Sequence, residues 1–199
     1  MFDPPREGIE SDTMPPSGTA YTVAEHGSVL TTRPQGREVA ALVCAALVQA
    51  EVLGVSFAGV EVASRPFLDE FVNVVQDALE QHPDRLLATF GYNASVKENL
   101  IAALARHDMV LATLNRGRVG LLGGGAQLRR TLKAAQELGT EFTAADLAER
   151  LAVRPPTLLR HVELLLRGGV LAVERANGRS LTAARLRRPR PSSLALLHR

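Results

Sequence analysis

The sequence is poor in cysteine and aromatic residues, and it has no apolar run long enough to cross a membrane. It contains one cysteine and no tryptophan, and aromatic residues make up 4% of its 199 residues. A single cysteine excludes an internal disulfide, and Cys44, within the apolar run 39–47, is predicted to be a buried small side chain. A bilayer span needs about 18 apolar residues, and residues 1–6 lack the features of a signal peptide. We therefore expect a cytoplasmic protein without a membrane partner.

Charge is distributed unevenly along the chain. The whole sequence has 23 Lys and Arg against 21 Asp and Glu, a net charge of +2. Residues 1–119 hold 9 basic and 15 acidic residues, a net charge of −6, whereas residues 120–199 hold 14 and 6, a net charge of +8. This split predicts two parts with different partners, and the basic part is the candidate for binding nucleic acid. It also raises the hypothesis that the acidic half rests on the basic half and masks it.

Composition and periodicity divide the chain into five segments. Residues 1–19, rich in proline and polar residues, are predicted to be a disordered tail. Residues 20–119 alternate strands with helices, residues 120–126 form a glycine-rich hinge, residues 127–186 form a second domain, and residues 187–199 are a basic tail. Alternating strands and helices predict an α/β fold with a mostly parallel sheet covered by helices.

Several helices of the first region have specific sequence signals. A helix over 37–48 is predicted to bury an apolar face that includes Leu42, Leu47 and Val48. A second helix, over 66–79, has a stripe of apolar side chains at every fourth position. Residues 95–98 have the pattern of a capping box that opens a third helix. The apolar run 109–114 is either a last strand or a linker.

The second region has the pattern of three helices followed by a hairpin. The first helix spans residues 127–138, and Thr143 is predicted to cap the second, with Asp146 three residues later. Pro155 opens the third helix, where its missing N–H does no harm, and Gly168 ends it. The strand-like runs 170–173 and 180–183 flank Asn177-Gly178, which is a hairpin signal.

The segment 142–153, followed by 156–162 and by Gly169-Val170-Leu171, resembles the winged helix-turn-helix of bacterial transcription regulators. The resemblance implies that double-stranded DNA is the partner. Arg160 can reach a guanine edge and Thr157 a phosphate, while wing arginines can follow the backbone or enter the minor groove. The candidate DNA contacts are Arg154, Thr157, Arg160, His161, Arg175, Asn177 and Arg179. Leu164 and Leu166 are predicted to be exposed, which favours a homodimer or an interdomain contact.

A second resemblance is carried by Thr32-Arg33, by Gly36-Arg37 and by the runs 55–60 and 63–71. These residues resemble the STAS-like family, relatives of the anti-sigma-factor antagonists, over residues 28–105. The family's pattern implies a small α/β sandwich and a partner surface at the start of a helix, where a kinase phosphorylates a serine and adds roughly two negative charges. Pro66 stands where that serine is expected. The candidate regulatory residues are Ser64, which can also be a helix cap, Asp69 and Glu70.

No pattern of residues points to catalysis, a cofactor or a metal. The run 120–125 lacks the Lys-Ser/Thr pair of a phosphate-binding loop, and the five histidines are scattered without metal-ligand spacing. We therefore expect a protein that is not an enzyme and has no cofactor. Two hypotheses remain: a DNA-binding transcriptional regulator with a regulatory N-terminal domain, or a protein-interaction switch that docks a kinase or a sigma-factor regulator.

Overall fold

The computed structural model describes residues 19–115 and 118–173, together with the backbone of residues 185–187. The strands among these residues are β1 (Thr19–Thr22), β2 (Val29–Leu30), β3 (Val52–Ser56), β4 (Val62–Ala63), β5 (Leu86–Phe90), β6 (Leu111–Asn115), β7 (Arg118–Leu122), β8 (Glu141–Thr143), β9 (Ala172–Val173) and β10 (Arg185–Arg187). The α-helices are α1 (Arg33–Gln49), α2 (Arg65–Gln81), α3 (Ala94–Arg106), α4 (Ala126–Glu137), α5 (Ala144–Leu151) and α6 (Pro155–Arg167), and a 3-10 helix, Val23–His26, follows β1.

A five-stranded sheet in the order β1-β3-β5-β6-β7 organises the fold. Strands β1, β3, β5 and β6 are parallel, and β7 pairs antiparallel with β6. The α/β prediction with a mostly parallel sheet is therefore confirmed. Two further strands, β2 and β4, form a short parallel pair beside the main sheet.

One face of the sheet is covered by the helices that connect its parallel strands. Leu53, Val55, Leu87 and Leu111 project from this face into a core that also contains the buried side chains of α1, α2 and α3. The apolar stripe predicted for the second helix faces this core, with Phe67, Phe71, Val75 and Leu79 all buried. Because all three connecting helices lie on the same side, none of them covers the opposite face of the sheet.

The opposite face of the sheet is covered by the C-terminal helices. Ala88 and Ala112, neighbours on β5 and β6, are buried in one core cluster with Leu128 and Leu132 of α4 and with the apolar row of α6. The C-terminal helices therefore form the second helical layer of the sheet. The two halves of the chain are in contact, but the contact is mainly apolar, although the charge split had suggested electrostatic attraction.

The end of α6 is fixed to the sheet by backbone contacts. The amide of Leu87 donates a hydrogen bond of 2.9 Å to the carbonyl of Gly169. A Cβ on Gly168 would lie 2.0 Å from the carbonyl oxygen of Val110, so only glycine allows the two backbones to approach this closely. The Arg167 guanidinium also lies 3.3 Å from the Glu80 carboxylate of α2. Helix α6 and the sheet thus form one packed unit.

Three predictions about the first region are wrong. On α1 the buried row is Val39, Ala40, Val43 and Leu47, whereas Leu42 and Val48 are 43% and 39% exposed. The predicted capping box at 95–98 lies inside α3, which begins at Ala94. Asn93 caps this helix instead: its side-chain oxygen accepts from the Val96 amide at 2.9 Å, and its amide group donates to the carbonyl of Val60. Cys44 is half-buried rather than buried.

Two predicted segments have a different structure, and a third lies outside the described residues. Residues 120–122 of the predicted hinge belong to β7, and Gly123 and Gly124, both with positive φ, form the turn into α4. The segment is therefore a strand and a tight turn. Arg187, assigned to the basic tail, pairs with Glu141 and Ala172 in the small C-terminal sheet. The predicted wing strand 180–183 lies outside the described residues, whereas β10 occupies 185–187.

Candidate nucleic-acid interface

The C-terminal elements have the order of a winged helix-turn-helix. Helix α4 is followed by β8, then by α5 and α6, and finally by β9 and β10. Strand β10 pairs antiparallel with both β8 and β9 to give a three-stranded sheet. This order makes α6 the helix that enters the major groove in DNA-binding proteins of this architecture.

Helix α5 begins with the predicted cap. The Thr143 side chain accepts a hydrogen bond of 3.2 Å from the Asp146 amide, and the Asp146 carboxylate accepts one of 2.7 Å from the Thr143 amide. The reciprocal pair satisfies two amides that the helix itself cannot bond, so the predicted capping box is confirmed. The Asp146 carboxylate also accepts a hydrogen bond of 2.8 Å from the Thr143 hydroxyl. The bonds donated to this carboxylate, first by the backbone amide and then by the hydroxyl of Thr143, lower the pKa of Asp146.

We expect Thr143→Ala to lower the free energy of unfolding by about 1 kcal/mol at neutral pH, because α5 loses its cap. The pKa of Asp146 is lower in the folded chain, so its stabilising contribution is present above the ordinary aspartate value of about 4 and is lost as the pH falls through the lowered pKa. Urea denaturation at several pH values measures both effects. A difference between variant and wild type that stays constant down to pH 2 would contradict the role of Asp146.

The turn between α5 and α6 places the start of α6 at the surface. Ala152 ends α5 in a left-handed conformation with φ of 53°. Arg154 occupies the N-cap of α6, and no side-chain hydrogen bond caps the helix. Pro155 begins the helix and Gly168 follows its last residue, so both predicted boundaries are confirmed.

The buried side of α6 includes the apolar row that was predicted and two further leucines that were predicted to be exposed. Leu158, Val162 and Leu165 are buried as predicted. The prediction that Leu164 and Leu166 are exposed is wrong. Leu166 is 9% exposed, and Leu164 is half-buried against the same core. Both leucines pack within the chain because α6 contacts the sheet as well as the other two helices of its domain.

The structure places three of the candidate DNA contacts together. Arg154, Thr157 and Arg160 are exposed at the start of α6. His161 is half-buried, and its Nδ1 lies 2.9 Å from the Thr131 hydroxyl of α4. This hydrogen bond joins α4 to α6. The wing candidates Arg175, Asn177 and Arg179 lie outside the described residues.

Several charged residues that the sequence analysis did not select border the same region. Arg130, Lys133 and Arg150 line a small surface pocket near the turn before α6, and Arg150 forms an ion pair with Glu137. The three-residue spacing of Arg130 and Lys133 on the polar side of an amphipathic helix was a signal for this cluster. Glu163, three residues after Arg160, is also exposed on α6.

The candidate regulatory residues of the N-terminal part are engaged in structural contacts. Ser64 caps α2, where its hydroxyl oxygen accepts from the Phe67 amide at 3.4 Å and donates to the carbonyl of Thr31 at 2.7 Å. Asp69 forms an ion pair with Arg106 of α3. Glu70 lies 2.7 Å from the Arg37 guanidinium of α1. These carboxylates therefore connect α2 to the two neighbouring helices.

Neither a membrane-spanning helix nor a metal-binding cluster occurs among the described residues. Among the described helices, none combines the length and the hydropathy that a membrane crossing requires. Within the same part of the chain, no three His, Cys, Asp or Glu side chains are grouped closely enough to hold a metal ion.

Comparison with known proteins identifies the C-terminal part. Residues 136–174 match the family model of a helix-turn-helix domain. The matched segment runs from the end of α4 through α5 and α6 to the residue after β9. No curated protein matches the chain. The chain therefore carries a helix-turn-helix domain, whose matched residues include the exposed start of α6.

Proposed function

We propose that this protein is a transcriptional regulator that binds double-stranded DNA with α6 in the major groove. The observation that carries the proposal is the exposure of Arg154, Thr157 and Arg160 at the start of the third helix of a winged helix-turn-helix. Arginine can donate two hydrogen bonds to the major-groove edge of guanine, which makes Arg160 the candidate for reading sequence. Thr157 can donate to phosphate oxygens from its hydroxyl and its backbone amide, whereas Pro155 and Pro156 before it have no N–H.

Residues beside α6 extend this surface along the DNA backbone. Arg130 and Lys133 lie near the turn that leads into α6 and supply positive charge without base recognition, whereas Arg150 beside them is paired with Glu137. Arg175 and Arg179 of the predicted wing are assigned to the backbone or the minor groove on their sequence positions. Glu163 can accept a hydrogen bond from a cytosine amino group.

The N-terminal sheet is the regulatory part in this proposal. Its pattern from Phe57 to Phe71, which resembles STAS-like proteins, supports a role in binding a regulatory partner. Partner binding at the N-terminal sheet can be transmitted to α6 through their common core, because the Leu87 amide of β5 donates a hydrogen bond to the Gly169 carbonyl just after α6. A partner that displaces β5 or α2 would therefore also move the DNA-binding helix.

The experiment is a fluorescence-anisotropy titration of the full chain against its own upstream region and random genomic fragments, at low and moderate salt. We expect saturable binding that favours one fragment and weakens steeply as salt rises, because bound arginines and lysines release counterions from DNA. The stoichiometry shows whether one chain or two occupy a site. Absence of binding to every fragment would overturn the proposal and favour the interaction switch that docks a kinase or a sigma-factor regulator.

Arg160→Ala is expected to weaken binding to the preferred fragment by about 10- to 100-fold, because one bidentate base contact contributes about 1–3 kcal/mol. Binding to random fragments should change much less, so the variant loses selectivity. Arg33→Ala is the matched control, since Arg33 is an exposed arginine at the start of α1. Equal affinity of Arg160→Ala and Arg33→Ala for the preferred fragment would contradict the role of Arg160.

Lys133 offers a second comparison in the same titration. If it contacts a phosphate, Lys133→Ala should weaken binding to all fragments alike and lower the salt slope by about 1. The two variants together separate sequence reading by α6 from charge attraction by α4.

A further inference from the structure

A groove separates the first turns of α6 from the corner between α3 and β6. Its volume is about 730 Å³, which is within the range of pockets that hold small molecules. Met109 and Val110 contribute an apolar wall from the sheet side, and Leu128 and Leu164 contribute one from α4 and α6. The groove is therefore an apolar cleft between the sheet and the DNA-binding helix.

Polar groups line the α6 side of this cleft. Thr157, Arg160 and His161 all line it, and Arg160 forms no hydrogen bond or ion pair with another residue of the described chain. The hydroxyl of Thr131 donates to the carbonyl of Gln127 at 3.1 Å, so its contact with His161 is satisfied when Nδ1 is the donor. Nε2 then carries no proton in the neutral ring and can only accept a hydrogen bond, so His161 fixes α6 to α4 and the donors in the cleft are Thr157 and Arg160.

The opposite rim of the cleft carries one negative charge. Asp108, at the corner after α3, is the one carboxylate among the described residues that line the groove. It is exposed and has a left-handed backbone with φ of 45°. The α6 side thus offers a guanidinium and a hydroxyl as hydrogen-bond donors, whereas the sheet side offers mainly hydrocarbon.

We propose that this groove binds a small organic anion with an apolar body, such as a carboxylate or phosphate ester of an aromatic group. Arg160 and Thr157 hold the anionic group, and the body lies between Met109, Val110 and Leu164. A guanidinium that lacks a protein partner is suited to a carboxylate or a phosphate, which it can bind with two parallel hydrogen bonds.

Occupancy of the groove also affects the DNA contacts, a consequence that rests on the proposed function. Thr157 and Arg160 line the cleft and are the residues assigned to phosphate and base. A bound anion therefore competes with DNA for the same guanidinium. The ligand in this arrangement releases the regulator from DNA.

The test uses the full chain and four probes of similar size: phenyl phosphate, phenylacetate, uncharged benzyl alcohol and cationic benzylamine. Isothermal titration calorimetry or ligand-observed NMR measures binding in the absence of DNA. We expect saturable binding of the two anions, and binding at least about tenfold weaker for the neutral and cationic probes. The same anions should displace a DNA fragment from the protein.

Three variants locate the site. Ala105 is exposed at the groove, so Ala105→Trp should fill it and weaken binding of the anions at least about tenfold. Ala45→Trp, on an exposed position of α1, is the matched control and should bind like wild type. Asp108→Asn removes the like charge and should tighten binding about three- to tenfold at low salt; asparagine tolerates the left-handed backbone at this position.

Each outcome of these titrations decides the proposal. No saturable binding of either anion, equal binding of benzyl alcohol, or anion binding that survives Ala105→Trp would overturn the site. Anion binding that is lost only in Ala105→Trp would support it. If the chain binds the anions at this groove and binds no DNA, the proposed function fails and the ligand site stands.

Discussion

Gly168→Ser is expected to lower the free energy of unfolding by about 3 kcal/mol or more. The added Cβ would lie 2.0 Å from the carbonyl oxygen of Val110 and 2.9 Å from its carbonyl carbon. These atoms belong to the backbone beside β6, so relief requires α6 to move away from the sheet. Overpacking that forces side chains and backbone to shift costs about 1–3 kcal/mol, and occasionally more; the upper end is expected here because the nearest atoms are backbone atoms. Urea denaturation of the full chain measures the change.

Gly125→Ser is the matched control for this substitution. Gly125 is the N-cap residue of α4 with φ of −89°, and a Cβ there would meet nothing within 4 Å. Because serine is a favourable N-cap residue, we expect unchanged or slightly higher stability. If Gly168→Ser unfolds within about 0.5 kcal/mol of wild type, the close approach of α6 to the sheet is wrong.

A chain that ends at residue 123 is expected to have no cooperative unfolding transition. It would retain β1 to β7 and the three connecting helices, but it would lose every element that covers the second face of the sheet. Ala88, Val110 and Ala112, each 3% exposed or less in the whole chain, would then face water. An exposed apolar face of this size favours aggregation over a stable monomer. Thermal unfolding followed by circular dichroism, together with binding of an apolar dye, tests this expectation.

A chain that ends at Arg187 is the control for this truncation, because it retains all the described residues. It should unfold cooperatively and bind little dye. A monomeric, cooperatively unfolding chain of residues 1–123 would show that the sheet does not need the helix-turn-helix as its second layer. That result would also restore the expectation of two independent domains.

Local signals in the sequence were sufficient where short-range chemistry determines structure. Thr143 and Asp146 form their capping box because the side chain of each accepts a hydrogen bond from the backbone amide of the other. Pro155 begins α6 and Gly168 follows its last residue, and both boundaries follow from the backbone preferences of proline and glycine themselves. The order of helices and strands in the C-terminal part follows from such signals, and it led directly to the helix-turn-helix domain.

The second layer of the sheet could not be predicted with the same means. Residues Leu86 to Ala88 are buried on both faces of β5, and a strand of this kind needs cover on each side. The apolar run 86–88 is present in the sequence, but it does not specify which helices pack against each face of the strand. Strand β7 was missed because Gly120 and the three glycines at 123–125 resembled a linker. In the structure a Cβ on Gly120 would lie 3.2 Å from the Thr113 side chain on the neighbouring strand.

The candidate site was predicted in part. The exposure of Thr157 and Arg160 follows from the helical period, because the buried row is Leu158, Val162 and Leu165. The contact between His161 and Thr131 depends on how α6 crosses α4, which the sequence of α6 alone does not contain. The burial of Leu166 has a similar origin, since the sheet that covers it lies about 50 or more residues earlier in the chain.

The placement of the helix-turn-helix against the sheet has a consequence for synthesis. The strands of the five-stranded sheet are complete at Leu122, but the buried residues that cover its second face extend to Leu171. At a translation rate of about 5–20 residues per second, the intervening segment takes roughly 3 to 10 seconds to emerge. During that time the nascent sheet exposes an apolar face whose proper cover does not yet exist. Productive folding on the ribosome therefore waits for α6, and the growing chain is a candidate for protection by a chaperone until then.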